Sequence, residues 1–294
     1  MPLHYELSDL RLLLILMRTR SLSASGEAAH LTTSAVSLRL RKLEDGIGAQ
    51  LFTRTGKGLV PTEAGTALAE AAVPILAESA ALDARLNPFS KHDPEPLRIF
   101  SNSTGLQNFL CRIAADYLRE NSSFRAVLTE QRSSLTPEAV LTGEADLGLI
   151  GGIRELSPAY RTKLELVQFV EDRHVVILPR DSSAAQQFKN RPILFAELLN
   201  LRFAALTDAS PMTAAMKERA LAAGFRFEPI IEAPSFSLLV ELVARGPLAA
   251  VVPASAVPPN APVEVRELED SWAARPLAFV LPKARPALPS AIDF

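Results

Sequence analysis

The 294-residue sequence predicts a helical N-terminal head joined to an α/β body, on three observations. Residues 34–45 contain neither Gly nor Pro, and Val36, Leu40 and Leu43 recur at steps of four and three, which puts them on one buried helical face. From Leu97 onward, short apolar runs alternate with helical patterns, the βαβ texture of an α/β fold. Between the two lies NPFSKHDPEP, residues 87–96, whose three prolines among charged and polar side chains read as a hinge.

In the head, Leu7, Leu10, Leu14 and Met17 keep helical spacing behind a Ser8 or Asp9 cap, and Arg18 and Arg20 suit the helix C-terminal dipole. Residues 21–62 then read as a short helix, a tight turn, a second helix and a looped-back wing: a winged helix-turn-helix. Thr32 stands where the second helix needs its N-cap. Opposite the Val36 face lie Ser34, Leu38 and Arg41, with Ser37 and Lys42 flanking. A small, polar, basic face of this kind fits a major groove roughly 12 Å wide. Leu51 and Phe52 anchor the wing, and its loop holds Arg54 and Lys57 between glycines, a suitable contact for phosphates. The candidate DNA-binding residues are Thr32, Thr33, Ser34, Ser37, Leu38, Arg41, Arg54 and Lys57. Charge agrees: residues 1–65 carry +2, whereas the whole chain carries −2.

Thr62 opens a long helix over residues 63–90. Leu68, Ala72, Ile75, Ser79, Leu82 and Leu86 form an a/d seam along it, and Pro74 should bend it.

In the body, strands are expected at residues 97–100, 126–130, 146–150, 164–169, 175–179, 203–206, 230–232, 248–252 and 277–281. Helices are expected at 105–120, 137–142 with Thr136 as cap, 211–223 between Ser210 and Gly224, and 236–245. Ligands of open α/β sheets bind at the carboxyl ends of strands. Ser101, Asn102, Ser103, Thr104, Gly151, Thr207 and Ser210 fall there and are the candidate effector-binding residues. Hydroxyls and amides at helix starts suit an anion.

Ala35-Val36-Ser37, Leu43-Glu44, Gly48, Leu51-Phe52, Arg54, Thr62 and Gly65 resemble, without a gap, the N-terminal signature of the LysR-type transcriptional regulators. Ser25-Gly26 stand where the family has Ala-Ala, and Gly26 costs roughly 1 kcal/mol against Ala inside a helix. Ala29 stands in place of Leu. Thr33 stands in place of Gln, which removes an amide able to pair with adenine. Residues 144–149 and 243–253 are similar, more weakly, to the family's effector domain, although Leu248 replaces its second Gly.

The resemblance implies a DNA-binding domain over residues 1–62, a linker and dimerisation helix over 63–90, a hinge over 91–96 and an effector domain over 97–294. It implies for the last a two-lobed, periplasmic-binding-protein-like fold, with lobe I over about 97–165 and 264–294 and lobe II over about 166–263. The stretch after Leu281 is short, so the family's terminal helix is expected to be truncated. The implied partners are double-stranded promoter DNA, a small-molecule effector and the chain itself, as a dimer or tetramer. The competing readings are a constitutive DNA-binding protein whose body only oligomerises, and a plain small-molecule binding protein.

Several functions lack their residues. His4, His30, His92 and His174 are scattered, no Cys pair exists, and neither a phosphate loop nor a nucleophile elbow occurs, so no metal, cofactor or catalytic site is expected. The single Cys111 sits in an apolar helical pattern and is expected to be a core thiol in a reducing compartment. The apolar run at residues 12–17 is far below the roughly 20 residues of a bilayer span, and no signal segment is seen. A cytoplasmic protein without membrane contact is expected.

Overall fold

The computed structural model describes residues 5–56, 58–86, 89, 95–153, 156–189, 191–207, 210–284 and 291. The head comprises α1 (Leu7–Thr19), α2 (Leu22–Ala29), α3 (Thr33–Ile47) and the hairpin β1 (Phe52–Thr55) and β2 (Gly58–Pro61). Leu10, Leu13, Leu16, Val36, Leu40, Leu43, Leu51 and Phe52 are buried together in its core. The helix periodicity that predicted this core is therefore realised.

Residues of the family signature explain the local geometry. The Glu44 carboxylate accepts the backbone N–H groups of Leu51 (2.8 Å) and Phe52 (3.3 Å), which fixes the entry to the wing. Thr62 donates to the Gln50 carbonyl at 2.7 Å and accepts the Gly65 N–H at 3.0 Å. A Cβ on Gly65 would stand 2.1 Å from the Leu51 carbonyl oxygen, so only glycine fits. The departure at Gly26 has a similar cause: a Cβ there would meet the Leu31 carbonyl oxygen at 2.6 Å. Its helix-propensity cost permits a close approach in the turn before α3. Ser25, fully buried, is satisfied by the Thr19 hydroxyl at 2.6 Å.

Helix α4 (Glu63–Leu86) contains Pro74 and follows directly. By length and composition alone it could cross a bilayer. Instead Ala72 and Leu76 are fully buried in the head core, and Val73 also packs against lobe I. This divides the expected seam. Ala72 is engaged within the chain, whereas Ile75, Leu82 and Leu86 remain exposed.

Lobe I is a five-stranded sheet in the order β4-β3-β5-β12-β6. It is built from β3 (Leu97–Ser101), β4 (Ala126–Glu130), β5 (Leu147–Gly151), β6 (Leu164–Glu171) and β12 (Pro276–Pro282). The first three pair in parallel, and β12 runs antiparallel between β5 and β6. Helical turns continue from α5 (Ser103–Gly105) through a π-helical turn at Leu106–Leu110 into α6 (Cys111–Glu120). The short helices α7 (Thr136–Leu141) and α8 (Pro158–Lys163) complete the lobe. Leu135, not Thr136, is the N-cap of α7; the Thr136 hydroxyl donates to the Arg132 carbonyl instead.

Lobe II centres on β7 (His174–Pro179), flanked by β10 (Ala250–Pro253) and β11 (Val263–Glu267), both antiparallel to it. The parallel pair β8 (Ala204–Leu206) and β9 (Ile231–Ala233) joins this sheet through a bridge from Phe203 to Ala249. Helices α9 (Ser183–Gln187), α10 (Pro211–Ala222) and α11 (Phe236–Arg245) cover it.

The lobe boundaries expected at 165/166 and 263/264 are corrected by strand pairing. β6 pairs with β12 from Leu164 to Glu171 and belongs to lobe I, while β11 pairs with β7 and belongs to lobe II. The chain crosses between lobes at Asp172–Arg173 and again just before β12. Cys111 is exposed rather than a core thiol, because α6 buries none of its residues. Most of the hinge (residues 87, 88 and 90–94) and the terminal segment (285–290 and 292–294) lie outside the described residues, as does Lys57.

Candidate functional site

On the head, Thr32 caps α3 by accepting the Ala35 N–H at 3.2 Å, and its hydroxyl lies 3.0 Å from that of Ser34. Thr33, Ser34, Leu38 and Arg41 point outward, and Leu38 is 68% exposed. Ser37 is half-buried because Arg54 of the wing reaches across and donates to its hydroxyl at 3.2 Å. Together Ser37, Arg41, Glu44, Thr53 and Arg54 line a concavity of about 490 Å³ between α3 and the wing. Seven of the eight expected DNA-facing residues thus share one surface, and the eighth, Lys57, lies outside the described residues.

Arg18 is placed differently from the expectation. Its guanidinium does not merely cap α1. It forms a two-pronged pair with Glu144 of lobe I at 3.1 and 3.4 Å. Its side chain is largely buried there. Nearby, burial pushes the Glu138 carboxyl above its ordinary range, with Arg18 opposing the shift.

The candidate effector residues divide into engaged and free groups. Ser101 is corrected: it is fully buried and donates to the Leu149 carbonyl at 2.7 Å, so it holds β3 to β5. Asn102 is engaged at both ends, accepting from the Gly105 N–H and donating to the Ser133 hydroxyl at 2.9 Å each. It is a cap and a brace rather than a free amide. The hydroxyls of half-buried Ser103 and buried Thr104 have no hydrogen-bond partner among the described residues. Thr207 is exposed, and Ser210 begins α10 without a side-chain capping bond. Gly151 ends β5 at the lobe junction.

Sequence reasoning missed the junction itself. Asn108, in the π-helical turn of lobe I, donates to the Ser255 hydroxyl of lobe II at 3.0 Å. π-Turns often re-aim a side chain at a functional position. Ser255 in turn donates both its N–H (3.1 Å) and its hydroxyl (2.8 Å) to Asp172 in the first crossover. Asp172 also donates its N–H to the carbonyl of Arg275, in the second crossover, at 2.9 Å. The Arg275 guanidinium stands 4.0 Å from the Asp172 carboxylate, beyond hydrogen-bonding distance. Burial pulls the Arg275 guanidinium below its ordinary range, while Asp172 opposes the shift. Burial, then the charges of Arg275 and Arg219, lower His174 from 6.5 to about 4, so it is neutral at pH 7. His174 packs beside Trp272 with ring centroids 5.9 Å apart. The one sequence signal was the polar Asp172-Arg173-His174 run between two apolar strands. Among the described residues, no group of three His, Cys, Asp or Glu could hold a metal ion.

Residues 7–66 match the family model described as bacterial regulatory helix-turn-helix protein, lysR family. Residues 90–294 match the LysR substrate binding domain. The chain is 31% identical over 146 residues to the HTH-type transcriptional activator IlvY of Salmonella typhimurium, covering 50% of each chain. It is 28% identical over 215 residues to the RuBisCO operon transcriptional regulator of Allochromatium vinosum, covering 73% of this chain and 68% of that one. The chain therefore spans about half the length of the first relative. Among solved structures, a full-length OxyR variant from Pseudomonas aeruginosa is similar with a TM-score of 0.62 at 20% identity, covering 99% of this chain and 93% of that one. Full-length CbnR complexed with its target DNA is similar with a TM-score of 0.51 at 17% identity, covering 98% and 96%. At these identities the structures establish the fold: a helix-turn-helix head and a two-lobed α/β body. With its larger part matched by one family model and its head by the other, the chain belongs to the LysR family of bacterial helix-turn-helix regulatory proteins.

Proposed function

We propose that this chain is a cytoplasmic transcription regulator that binds promoter DNA through α3 and the wing and responds to a small molecule held between its lobes. One observation carries the reading: Thr33, Ser34, Leu38 and Arg41 project from one face of α3, beside a wing arginine already folded toward it. Small polar groups at the start of the helix can reach base edges, whereas Arg54 can exchange Ser37 for a phosphate. The effector acts by population shift. It must bind one arrangement of the lobes more tightly than the other, and that difference moves the heads relative to each other. Ser103, Thr104, Thr207 and Ser210 supply the polar walls of the cleft.

A second copy of the chain supplies the other half-site. The exposed stripe of Ile75, Leu82 and Leu86 on α4 is the surface it covers. Leu82→Glu would place a charge on that stripe, and light scattering should then show monomers with helicity retained. An unchanged oligomer would move the subunit contact off α4. The function itself is tested by Arg54→Ala. It should weaken binding on all DNA sequences alike and lower the slope of log affinity against log salt by about one. An unchanged slope would remove the wing from the interface.

A further inference from the structure

Four buried side-chain nitrogens lack a hydrogen-bond partner among the described residues: His174 Nδ1, Trp272 Nε1, Arg275 Nε and Arg275 Nη2. Arg275 lies in the second crossover, His174 at the start of lobe II, and Trp272 beside His174 against the core of lobe II. Trp272 Nε1 and both Arg275 nitrogens are obligate donors, so the deficit is of acceptors. Leaving a buried donor unpaired costs about 1–3 kcal/mol, and more for a charged group. Native structures rarely hold several together without a reason.

The carboxylate nearest to Arg275 does not remedy this. Asp172 already accepts two bonds from Ser255, and its oxygen is 4.0 Å from Arg275 Nη2. Nε and Nη2 lie on one edge of the guanidinium plane. That edge presents two parallel N–H donors, the fork that meets both oxygens of a carboxylate. Gly151 packs directly against this edge: a Cβ there would stand 2.9 Å from Nε. The residues around the fork come from lobe I (Gly151), from both crossovers (Asp172, Arg275) and from the start of lobe II (His174), so an occupant would touch every part that moves when the lobes rearrange.

We propose that Arg275 anchors a small monocarboxylate effector at the lobe junction, through the side edge formed by Nε and Nη2. This rests on the effector-responsive reading above and specifies its ligand class. A single negative charge matches a guanidinium whose nearest carboxylate, that of Asp172, stands 4.0 Å away. A dianion such as phosphate would add a second charge close to Asp172 and be repelled. Opening of the Asn108–Ser255 contact admits the ligand, and its closure over the carboxylate favours one lobe arrangement.

The test uses the full-length chain with sodium acetate, pyruvate, benzoate, succinate or phosphate at constant ionic strength in sodium chloride. At least one monocarboxylate should raise the melting temperature of the wild type saturably, and phosphate should not. Calorimetry with that salt should give a dissociation constant at least thirtyfold weaker for Arg275→Met. It should be about tenfold weaker for Arg275→Lys, which keeps a charge without the fork. Gly151→Ala, which crowds Nε and leaves the charge in place, should weaken binding as well. Melting in chloride alone verifies that each variant is folded. The anchor is overturned if no monocarboxylate stabilises the wild type, if phosphate alone does, or if folded Arg275→Met binds as the wild type does. A gel shift of the wild type on DNA upstream of its own gene, without carboxylate, reads the regulator assignment separately. DNA binding without any carboxylate effect removes the anchor only, whereas no DNA binding removes the regulator reading.

Discussion

The proposed DNA-reading face and the lobe junction are built in opposite ways. The first takes its residues from one contiguous stretch, Thr32 to Arg54, and leaves their polar groups at the surface. The second draws Asn108, Gly151, Asp172, Ser255 and Arg275 from five separate segments, with buried Asp172 at its centre. A surface that meets a large polyanion needs accessible cations and little prior order. A site for a small molecule needs preorganised donors with water kept out, which only distant segments packed together can supply.

The sharpest way to separate the two is to break one and watch the other. Gly65→Val forces a side chain to within 2.1 Å of the Leu51 carbonyl oxygen, so backbone must move. The expected loss is about 3–4 kcal/mol in the head, with DNA binding abolished. The lobes do not contain this contact, and the calorimetric transition assigned to them should persist. If both transitions fell equally, the head and lobes would be one cooperative unit.

The converse experiment perturbs the junction by pH. His174 titrates at about 4 when folded and near 6.5 when unfolded. Between these values the unfolded chain binds the additional proton, so stability rises with pH through this window. The contribution is fully present above pH 6.5 and is lost as pH falls toward 4. Its size is on the order of 3 kcal/mol. Urea unfolding at pH 7 and pH 4.5 should show the decline for the wild type and a flatter profile for His174→Phe. Equal profiles would mean that His174 is protonated inside the fold without cost.

What was legible in the sequence follows the same division. Val36, Leu40 and Leu43 were assigned to a core from periodicity alone, and all three are buried, because a helix face is a local property. The same periodicity misled at Cys111, since an apolar face on α6 does not reveal whether its cover lies within the chain. Strand β11 was missed because Val263-Glu264-Val265-Arg266-Glu267 alternates with charges, the pattern of a one-sided edge strand. Gly26 looked like a cost and proves to be a close backbone approach. Arg275 carried no local mark at all. Its environment is made by residues more than a hundred positions away, so no reading of neighbours along the chain could find it.

The contrast rests on the head being the part that reads DNA. The most direct measurement is the affinity of the full-length chain for DNA upstream of its own gene, compared with that of the Arg41→Glu, Arg54→Glu double variant. Both residues flank the same concavity on the head. Two cations replaced by two carboxylates should remove phosphate contacts and add repulsion, weakening binding by about a hundredfold or more at moderate salt while the fold persists. Binding by the folded double variant within twofold of the wild type would contradict it, and the DNA-reading surface would have to be sought elsewhere on the chain.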